Sequence, residues 1–488
     1  MNVLDYLWPA PQNMRVLGKA TCPIVALSIK GPAPLNFKEG IKELKVKISS
    51  KGTPVIFKKK ASSKVIESYN ILVKGSKIVV ESADDKGMFY ASQTLLQLIS
   101  YSLSERTIPE LKIEDKPAHK VRAFMVDLGR ATFSLKYLKR IVRIMASLKM
   151  NALHVHLFDD QLFGIKLKGL PLGKENPGAI TLSEFKELIV YAKKYYIEII
   201  PEIEAWGHIG SIVYHHPKLK GGPGMYGSTS FLICEETIEL IKNIVSQIVS
   251  VMPKEGMLHF GLDEANWYVS NEKSMADLNP TKLVGVLYRL LLEVNKKYKK
   301  DIKMCVWADH GGRPVPKDIQ KQIIIEPWNY WIKNREQIEK SVKHYGGRGK
   351  PPVLLGGGIS SEHFRGAYAA TGLWSRKGAK YKNIMGVDVT FWEANDIPAK
   401  LLPLFTSFGF CWNPNPSGMP DLSDYENVDQ LVGRKMIAWQ LGFDEGRADL
   451  LYKDMGEHVY KGFYITGKRR GKPVAVTAAL NRTGYFVE

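Results

Sequence analysis

The sequence predicts a (β/α)8 barrel, preceded by a small α+β domain and followed by a helical C-terminal extension. The first observation is length, because 488 residues exceed the usual size of one domain. The second is a change of period near Val121, where short apolar runs begin to alternate with longer amphipathic stretches. The third is that eight such runs fall within about 270 residues, the size of a closed barrel. An open doubly wound sheet would also alternate, but its glycine-rich phosphate turn after the first strand is missing.

The eight predicted barrel strands are short apolar runs, separated in several places by clear helical stretches such as "LKYLKRIVRIMASLK", "TLSEFKELIVYAKKY" and "TIELIKNIVSQIVS". In chain order the runs are "VRAFMVDL", "ALHVHLF", "IEIIPEI", "GMLHFGLD", "IKMCVWAD", "QIIIEPW", "PVLLGGG" and "MGVDVTFW". They place the barrel domain at residues 119–415.

The two flanking segments carry no predicted chemistry. Residues 1–118 read as a separate α+β domain, with strands in "ELKVKISS", "YNILVKG" and "KIVVESAD" and a helix in "KGMFYASQTLLQLISYS". Residues 416–488 read as a mostly helical extension ("NVDQLVGRKMIAWQLGF") that ends in the basic segment "YITGKRRGKP".

Composition favours a soluble cytoplasmic protein. Hydrophobic residues make up 45% and charged residues 24% of the chain, and no apolar run is long enough to cross a membrane. The first residues lack the pattern of a signal peptide. Cys22, Cys234, Cys305 and Cys411 lie far apart without metal-ligand spacing, which favours buried free thiols in a reducing compartment.

The chain is strongly basic, with 69 Lys and Arg against 49 Asp and Glu and a net charge of +20. Such an excess can serve nucleic-acid binding, but the lysines are scattered over helix faces and no recognised binding motif accompanies them. We therefore expect no nucleic-acid partner and no membrane partner, while a homo-oligomer is compatible with the sequence. Abundant Lys with Ile and Val also suits a thermophile.

Polar residues follow seven of the eight predicted strands, at the end where barrel enzymes place catalytic groups. They are Asp127 and Arg130, Asp159 and Asp160, Glu202, Glu204 and His208, Asp263 and Glu264, Trp307 and Asp309, Glu326 and Trp328, and Trp392 and Glu393. Acids beside tryptophans indicate a sugar pocket, since indole rings stack on pyranose faces and carboxylates bind hydroxyls. Cleavage of a glycosidic bond also requires a general acid.

No cofactor and no metal is predicted. His154 and His156 alternate along the second strand and so face the same side, but two histidines do not make a zinc site.

The motif "LHFGLDE" resembles the His-x-Gly-x-Asp-Glu signature of glycoside hydrolase family 20, the β-N-acetylhexosaminidases. The resemblance spans about residues 5 to 395. It extends in order through "MVDLGR", "KMNALHVHLFDDQ", "IPEIEAWGH", "VWAD" and "GVDVTFW", and the N-terminal "LWPAPQ" and "KGMFYASQTLLQL" resemble the family's first domain. It implies exo-acting removal of a terminal N-acetylhexosamine from glycans or chitooligosaccharides, with a small carbohydrate as substrate.

The resemblance also implies roles for individual residues. Glu264 would protonate the glycosidic oxygen, and Asp263 would orient the 2-acetamido group whose carbonyl attacks the anomeric carbon. Asp159 and His208 would form a relay that sets the protonation of Glu264. The substrate itself would be bound by Arg130, by a wall of Trp307, Trp328 and Trp392, and by Glu393 and Tyr330.

The chain departs from the family pattern at several places, as expected of a divergent member. Leu262 stands where the family has a small residue, and Trp206 replaces a proline. Glu393 lies one position early in "WEAND". The family's Tyr-x-Asp after the seventh strand is absent from "LLGGGISSEHFRGAY", so Tyr330 or Tyr268 is the candidate to support the acetamido carbonyl.

Two other functions remain open on the sequence. The remodelled acetamido site is compatible with another exo-glycosidase of altered sugar specificity on the same scaffold. The third hypothesis is a non-catalytic carbohydrate-binding protein. The presence of Glu264 together with Asp159 and His208 argues against it.

Overall fold

The computed structural model describes residues 6–60, 65–103, 105–174, 176–308, 315–359, 364–392, 401–441, 466–469 and 472–475. The chain divides into two compact units. One comprises residues 1–120, 143–150 and 396–488, and the other comprises residues 121–142 and 151–395. The predicted domain limits at 118 and 415 stay predictions.

The second unit is built on a closed barrel of eight parallel strands. Every predicted run overlaps one strand. In chain order these barrel strands one to eight are Val121–Asp127, Ala152–His156, Glu198–Glu202, Glu255–His259, Asp301–Ala308, Ile324–Pro327, Val353–Ile359 and Ile384–Phe391. The largest difference is at strand four, which ends at His259, four residues before the end of the predicted run.

A cluster of buried apolar side chains lies in the barrel interior. This cluster consists of Val121, Ala123, Ala152, Ile200, Met257, Cys305, Ile324 and Leu354, all at most 7% exposed. It forms because strands buried on both sides favour near-continuous apolar runs, and bulky and small side chains from neighbouring strands share the space. The polar groups of the candidate site come from positions further along the same strands.

Helices follow most barrel strands, and their ends carry recognisable stop and start signals. Thr181 and Glu184 form a reciprocal capping box, and Asn279 caps a helix that has Pro280 in its first turn. The helices are Leu135–Ser147, Leu182–Lys193, Gly210–Val213, Glu235–Val251, Pro280–Tyr298, Arg335–Tyr345 and Phe364–Gly378. Two short strand pairs, Ile165–Lys166 with Ile180–Thr181 and Lys220–Pro223 with Thr229–Phe231, lie in the connecting loops.

The first unit contains a seven-stranded mixed sheet and confirms the predicted α+β domain. Its strands are Asn13–Pro23, Ala26–Lys30, Lys47–Ile48, Thr53–Lys59, Tyr69–Lys74, Lys77–Ser82 and Thr107–Asp115, and its helices are Leu35–Glu43 and Asp85–Tyr101. The sequence predicted three of these strands and the second helix. The same unit holds the helices Leu401–Trp412 and Tyr425–Leu441 and an antiparallel pair, Thr466–Arg469 with Lys472–Ala475, which the helical prediction for the tail did not include.

No helix among the described residues is long and apolar enough to cross a membrane. All four cysteines are buried and free, as predicted.

Candidate active site

The backbone after barrel strand four is contorted where it carries the two adjacent acids. Gly261, Leu262 and Glu264 all have positive φ, at 62°, 79° and 49°. A left-handed conformation costs a non-glycine residue about 1–2 kcal/mol, and such strain gathers at functional sites. The turn explains how neighbouring acids can point to different places.

Burial of the Leu262 side chain offsets the cost of its strained backbone. The family resemblance placed a small residue here, which fits a φ of 79°. The leucine side chain is 1% exposed, and full burial of a leucine contributes about 1.5–3 kcal/mol. The two contributions are of similar size, so the departure from the family pattern leaves the turn intact.

Glycine at position 207 is required by close approach to this turn. A Cβ at Gly207 would lie 2.3 Å from the carbonyl oxygen of Asp263. The preceding Trp206 is buried, donates from its indole to the carbonyl of Asn266 at 3.0 Å, and packs edge-on against Trp267. Trp206 therefore holds the loop that follows Glu264 through a hydrogen bond that a proline at this position could not donate.

His208 connects Glu264 to Asp159. Its Nε2 lies 3.2 Å from Glu264 Oε2, and its Nδ1 lies 3.2 Å from Asp159 Oδ1 and 3.4 Å from Asp160 Oδ2. Burial alone would lower the pKa of His208, but hydrogen bonds to Asp159, Asp160 and Glu264 outweigh it and raise the pKa well above its usual range. The imidazole is therefore charged at neutral pH, and it can hold a proton next to Glu264.

The hydrogen-bond chain continues from Asp159 into the barrel. Asp159 Oδ2 lies 3.0 Å from His156 Nε2, and His156 Nδ1 lies 2.6 Å from Glu202 Oε2. Burial opposes ionisation of His156, yet the contacts with Glu202 and Asp159 raise its pKa to about 10. Glu264 is thus connected through alternating histidines and carboxylates to the barrel interior. Sequence reasoning noted His156 without giving it a role, although the His-x-His alternation was the available signal.

Arg130 completes the charge balance around Asp159. Its guanidinium donates to Asp127 Oδ2 at 3.0 Å and lies 2.8 Å from Asp159 Oδ2. It also lies over the ring of Trp392, 5.4 Å from the centroid. Burial would raise the pKa of Asp159, but His156, His208 and Arg130 hold it well below its usual range. Asp159 is therefore a permanent carboxylate that can keep His208 charged.

Glu204 is a buried acid beside Asp263. Its side chain is fully buried, and neither carboxyl oxygen has a hydrogen-bond partner among the described residues. Burial, and then the charges of Asp263 and Glu202, raise its pKa well above the usual range. Glu204 also lies against the turn, because a Cβ on Gly261 would lie 2.1 Å from Glu204 Oε2.

Three of the predicted aromatic residues lie in contact with one another. Trp328 and Tyr330 stack with ring centroids 5.2 Å apart, and the indole of Trp392 donates to the Tyr330 hydroxyl at 2.8 Å. Burial and the charge of Asp263 raise the pKa of Tyr330 well above its usual range, so the phenol stays neutral. Trp328 and Trp392 are partly exposed, as a stacking surface for sugar must be.

Trp307 differs from the predicted arrangement. The side chain is 1% exposed, its indole donates to Glu202 Oε1 at 2.5 Å, and its ring contacts those of His259 and Trp392. The buried carboxylate of Glu202 draws the indole N–H into the barrel. In this structure Trp307 thus supports Trp392 from the interior and is not an open wall of the pocket.

Two further predicted residues, Asp263 and Tyr268, lie in the described part of the chain. Asp263 lies with its Oδ2 3.7 Å from His208 Nε2, so the structure brings it to the same histidine as Glu264. Tyr268 donates to the carbonyl of Pro223 at 3.1 Å. Glu393 and Asp309 lie outside the described residues, as do the positions 360–363 that follow the seventh strand.

Comparison with known proteins agrees with this geometry. The model of glycosyl hydrolase family 20, catalytic domain, matches residues 119–345, and that of glycosyl hydrolase family 20, domain 2, matches residues 6–116. A beta-hexosaminidase of Vibrio furnissii is 27% identical over 310 residues, which are 54% of this chain and 48% of that protein. A beta-hexosaminidase of Porphyromonas gingivalis is 29% identical over 219 residues, 39% of this chain and 28% of that protein. The chain thus spans about half or less of the length of these curated relatives.

Solved structures share the fold. The crystal structure of a GH20 exo beta-N-acetylglucosaminidase from Vibrio harveyi, in complex with N-acetylglucosamine, superposes with a TM-score of 0.68 at 18% identity. The match covers 89% of this chain and 78% of that one. With two family models that together match well over half of its residues, this chain belongs to glycosyl hydrolase family 20.

Proposed function

We propose that this protein is an exo-acting β-N-acetylhexosaminidase that removes terminal N-acetylhexosamine by substrate-assisted, retaining hydrolysis. The observation that carries the proposal is His208, which lies 3.2 Å from both Glu264 and Asp159 beside the adjacent Asp263. The relatives' names support the same activity, since the Vibrio furnissii and Porphyromonas gingivalis proteins are both beta-hexosaminidases.

In the first step Glu264 acts as the general acid. Its carboxyl proton goes to the glycosidic oxygen while the substrate's acetamido carbonyl oxygen forms a bond to the anomeric carbon, and the bond from that carbon to the leaving oxygen breaks. The positive charge of His208, held by the carboxylate of Asp159, stabilises the Glu264 carboxylate that results. In the second step Glu264 takes a proton from water, which attacks the anomeric carbon and displaces the acetamido oxygen.

Asp263 acts on the acetamido group. Its carboxylate accepts a hydrogen bond from the acetamido N–H and stabilises the positive charge that develops there as the carbonyl oxygen attacks. Two adjacent acids therefore serve different atoms of one substrate and need not share a proton. Arg130 and the Trp328 and Trp392 rings bind the sugar's hydroxyls and faces.

A second candidate is an exo-glycosidase with altered sugar specificity. Leu262 and Trp206, both within or against the turn that carries Asp263, motivate it, because the acetamido group would bind there. This reading keeps Glu264 as the acid and predicts turnover of substrates without an acetamido group.

The test is hydrolysis of paired aryl β-glycosides, with and without the 2-acetamido group, by the wild type and by Asp263→Asn. We expect cleavage of the acetamido sugar alone and a loss of about 10²-fold or more in kcat for the variant. Asp277→Asn, at an exposed position, is the matched control and should keep full activity. Equal cleavage of both sugars would favour the second candidate, and binding without any turnover would favour a non-catalytic carbohydrate-binding protein.

A further inference from the structure

The loop after barrel strand three contains a hairpin that lies against the proposed general acid. Its strands, Lys220–Pro223 and Thr229–Phe231, pair antiparallel. At the turn between them, the backbone N–H of Met225 donates to the carbonyl oxygen of Glu264 at 2.6 Å. The hydroxyl of Ser228, which is 4% exposed, donates to the same oxygen at 3.0 Å. The turn of the 220–231 hairpin is therefore hydrogen-bonded to the backbone of Glu264.

Further hydrogen bonds fix the 220–231 hairpin to the loops after barrel strands two and four. The backbone N–H of Thr229 donates to Asp160 Oδ1 at 3.1 Å. The carbonyl oxygen of Pro223 accepts from the side-chain amide of Asn266 at 3.0 Å and from the hydroxyl of Tyr268 at 3.1 Å. The hairpin thus has a defined position relative to the elements that carry the relay and the two adjacent acids.

Tyr226 occupies the tip of the 220–231 hairpin with its side chain in solvent. It is 81% exposed, and its backbone has a φ of 53°. A left-handed conformation costs a non-glycine residue about 1–2 kcal/mol. Leu262 offsets the same kind of strain by burial, whereas Tyr226 gains no burial in return. Strain of this kind, at an exposed aromatic residue next to an active site, indicates a function in binding.

The position of Tyr226 corresponds to the mouth of the site. Its chain neighbour Met225 contacts Glu264, and the Cα atoms of neighbouring residues are about 3.8 Å apart. Tyr330, which we assign to the terminal sugar, is by contrast only 7% exposed. An exo-acting site encloses the terminal sugar and leaves the rest of the glycan at its mouth. Because Glu264 protonates the oxygen that joins these two parts, the leaving group begins beside Glu264.

We propose that the 220–231 hairpin binds the leaving-group sugar, the residue on the far side of the cleaved bond, and that the ring of Tyr226 stacks on its pyranose face. The proposal rests on the proposed hydrolase activity. An aromatic ring provides an apolar surface for the C–H face of a pyranose, and the phenol hydroxyl can exchange hydrogen bonds with sugar hydroxyls. The substrate class is therefore an oligosaccharide or glycan whose second residue is a pyranose, and not the glycoside of a small alcohol.

The hydrogen bonds of Met225 and Ser228 give this site a second property. They connect the element that binds the leaving group directly to the backbone of the residue that protonates it. A bound leaving-group sugar is thereby held in a fixed position relative to Glu264, and such positioning lowers the barrier of the chemical step.

The experiment compares two substrates of the full-length chain that share the terminal N-acetylglucosamine and differ in the leaving group. In N,N'-diacetylchitobiose the leaving group is a whole sugar, and in methyl N-acetyl-β-glucosaminide it is methanol. Both leaving oxygens are alkyl oxygens, so the ratio of kcat/KM for the disaccharide to that for the methyl glycoside reports the binding of the leaving-group sugar.

The variants are Tyr226→Ala and Tyr226→Phe, and the control is Tyr298→Ala. Tyr298 is the last residue of the helix Pro280–Tyr298, directly before barrel strand five begins at Asp301. It therefore lies at the end of the barrel opposite to the candidate site. We expect the ratio to fall at least about tenfold in Tyr226→Ala and to stay within about threefold of the wild type in Tyr226→Phe, which keeps the ring. Tyr298→Ala should match the wild type on both substrates.

An unchanged ratio in Tyr226→Ala would overturn the proposal, and so would an equal fall of the ratio in Tyr298→Ala. A wild type that cleaves neither substrate would refute the proposed activity, and binding then decides the proposal. Calorimetry should show that the wild type binds N,N'-diacetylchitobiose more tightly than N-acetylglucosamine and that Tyr226→Ala loses this preference. The same preference in both proteins, or none in the wild type, would overturn the assignment of the 220–231 hairpin.

Discussion

Two buried charged clusters, one in each compact unit, are built in opposite ways. In the first unit Asp115 has donors at both oxygens, since the backbone N–H groups of Gln12 and Lys116 point at Oδ1 and Tyr69 donates to Oδ2. The ammonium of Lys149, 1% exposed, lies 3.1 Å from Oδ2. This carboxylate is fully hydrogen-bonded, which is the condition under which a buried ion pair is tolerated.

The barrel cluster leaves several acceptors without donors. Both oxygens of Glu204, Oε1 of Glu326 and Oδ1 of Asp388 lack hydrogen-bond partners among the described residues. Each such group carries a desolvation cost of about 1–3 kcal/mol. The difference indicates that the Asp115 cluster holds its unit together, while the barrel cluster keeps carboxyl oxygens that accept no hydrogen bond from the described residues.

The largest expected effect separates activity from stability at the barrel. Glu264→Gln should lower kcat by about 10²–10⁴-fold, because the amide cannot protonate the leaving oxygen. The free energy of unfolding should change by less than about 1 kcal/mol. Steady-state kinetics on an aryl glycoside and on a disaccharide, with denaturant unfolding beside them, measure both. The loss should be smaller for the aryl glycoside, whose leaving oxygen needs less protonation.

The control for this variant is Glu236→Gln, at an exposed helix position. It should match the wild type in both measurements. An equal loss of kcat in the two variants, or a Glu264→Gln protein that is destabilised without losing kcat, would contradict the role of Glu264 as the general acid.

The opposite result is expected at Asp115. Asp115→Asn leaves the buried ammonium of Lys149 without its counter-charge, so it should lower the free energy of unfolding by about 3–5 kcal/mol. Denaturant unfolding measures this, and kcat per folded molecule should stay within about twofold. The neighbouring exposed residue supplies the control, since Glu114→Gln should change stability by at most about 0.5 kcal/mol. A loss below about 1 kcal/mol at Asp115 would remove the contrast between the clusters.

A smaller effect is expected where the turn meets Glu204. Gly261→Ala introduces a Cβ 2.1 Å from Glu204 Oε2 at a φ of 62°, so it should cost more than about 2 kcal/mol of stability. Gly227→Ala is the matched control, because φ is 86° there but no atom lies within 4 Å of the added Cβ. It should cost only about 1 kcal/mol. Equal losses in the two variants would mean that the backbone alone, and not Glu204, restricts position 261.

The smallest effect concerns the pH dependence of stability. The raised pKa of Glu204 means that the folded state keeps a proton which the unfolded state loses above its usual pKa of 4.5. Stability is therefore lost as pH rises above that value, with a slope of up to about 1.4 kcal/mol per pH unit from this group. Glu204→Gln removes this slope, so the variant should gain stability relative to the wild type as the pH rises above 4.5. Parallel slopes of unfolding temperature against pH in the two proteins would refute the raised pKa of Glu204.

The barrel could be predicted because its strands are buried on both sides. Such strands read as short apolar runs, and the polar residues that follow them necessarily meet at one end of a parallel barrel. The same logic brought Asp159, His208 and Glu264 together as candidates. Their roles as a relay came from resemblance to the family, since spacing in the sequence carries no information on which nitrogen faces which carboxylate.

The first unit was harder to predict. Its strands Asn13–Pro23 and Thr53–Lys59 carry basic and exposed residues, so neither shows a clear alternation. The orientation of the Trp307 side chain could not be predicted from the sequence either. It depends on a hydrogen bond to Glu202, which lies 105 residues away in the chain.

The sequence by itself determined the order of the elements, the eight barrel strands and the end of the barrel at which the acids gather, because periodicity and strand direction are local properties. Only the tertiary structure decided which interior side chains meet. His154 and Asp388 are 234 residues apart and become neighbours because the barrel closes and places alternate strands in one layer.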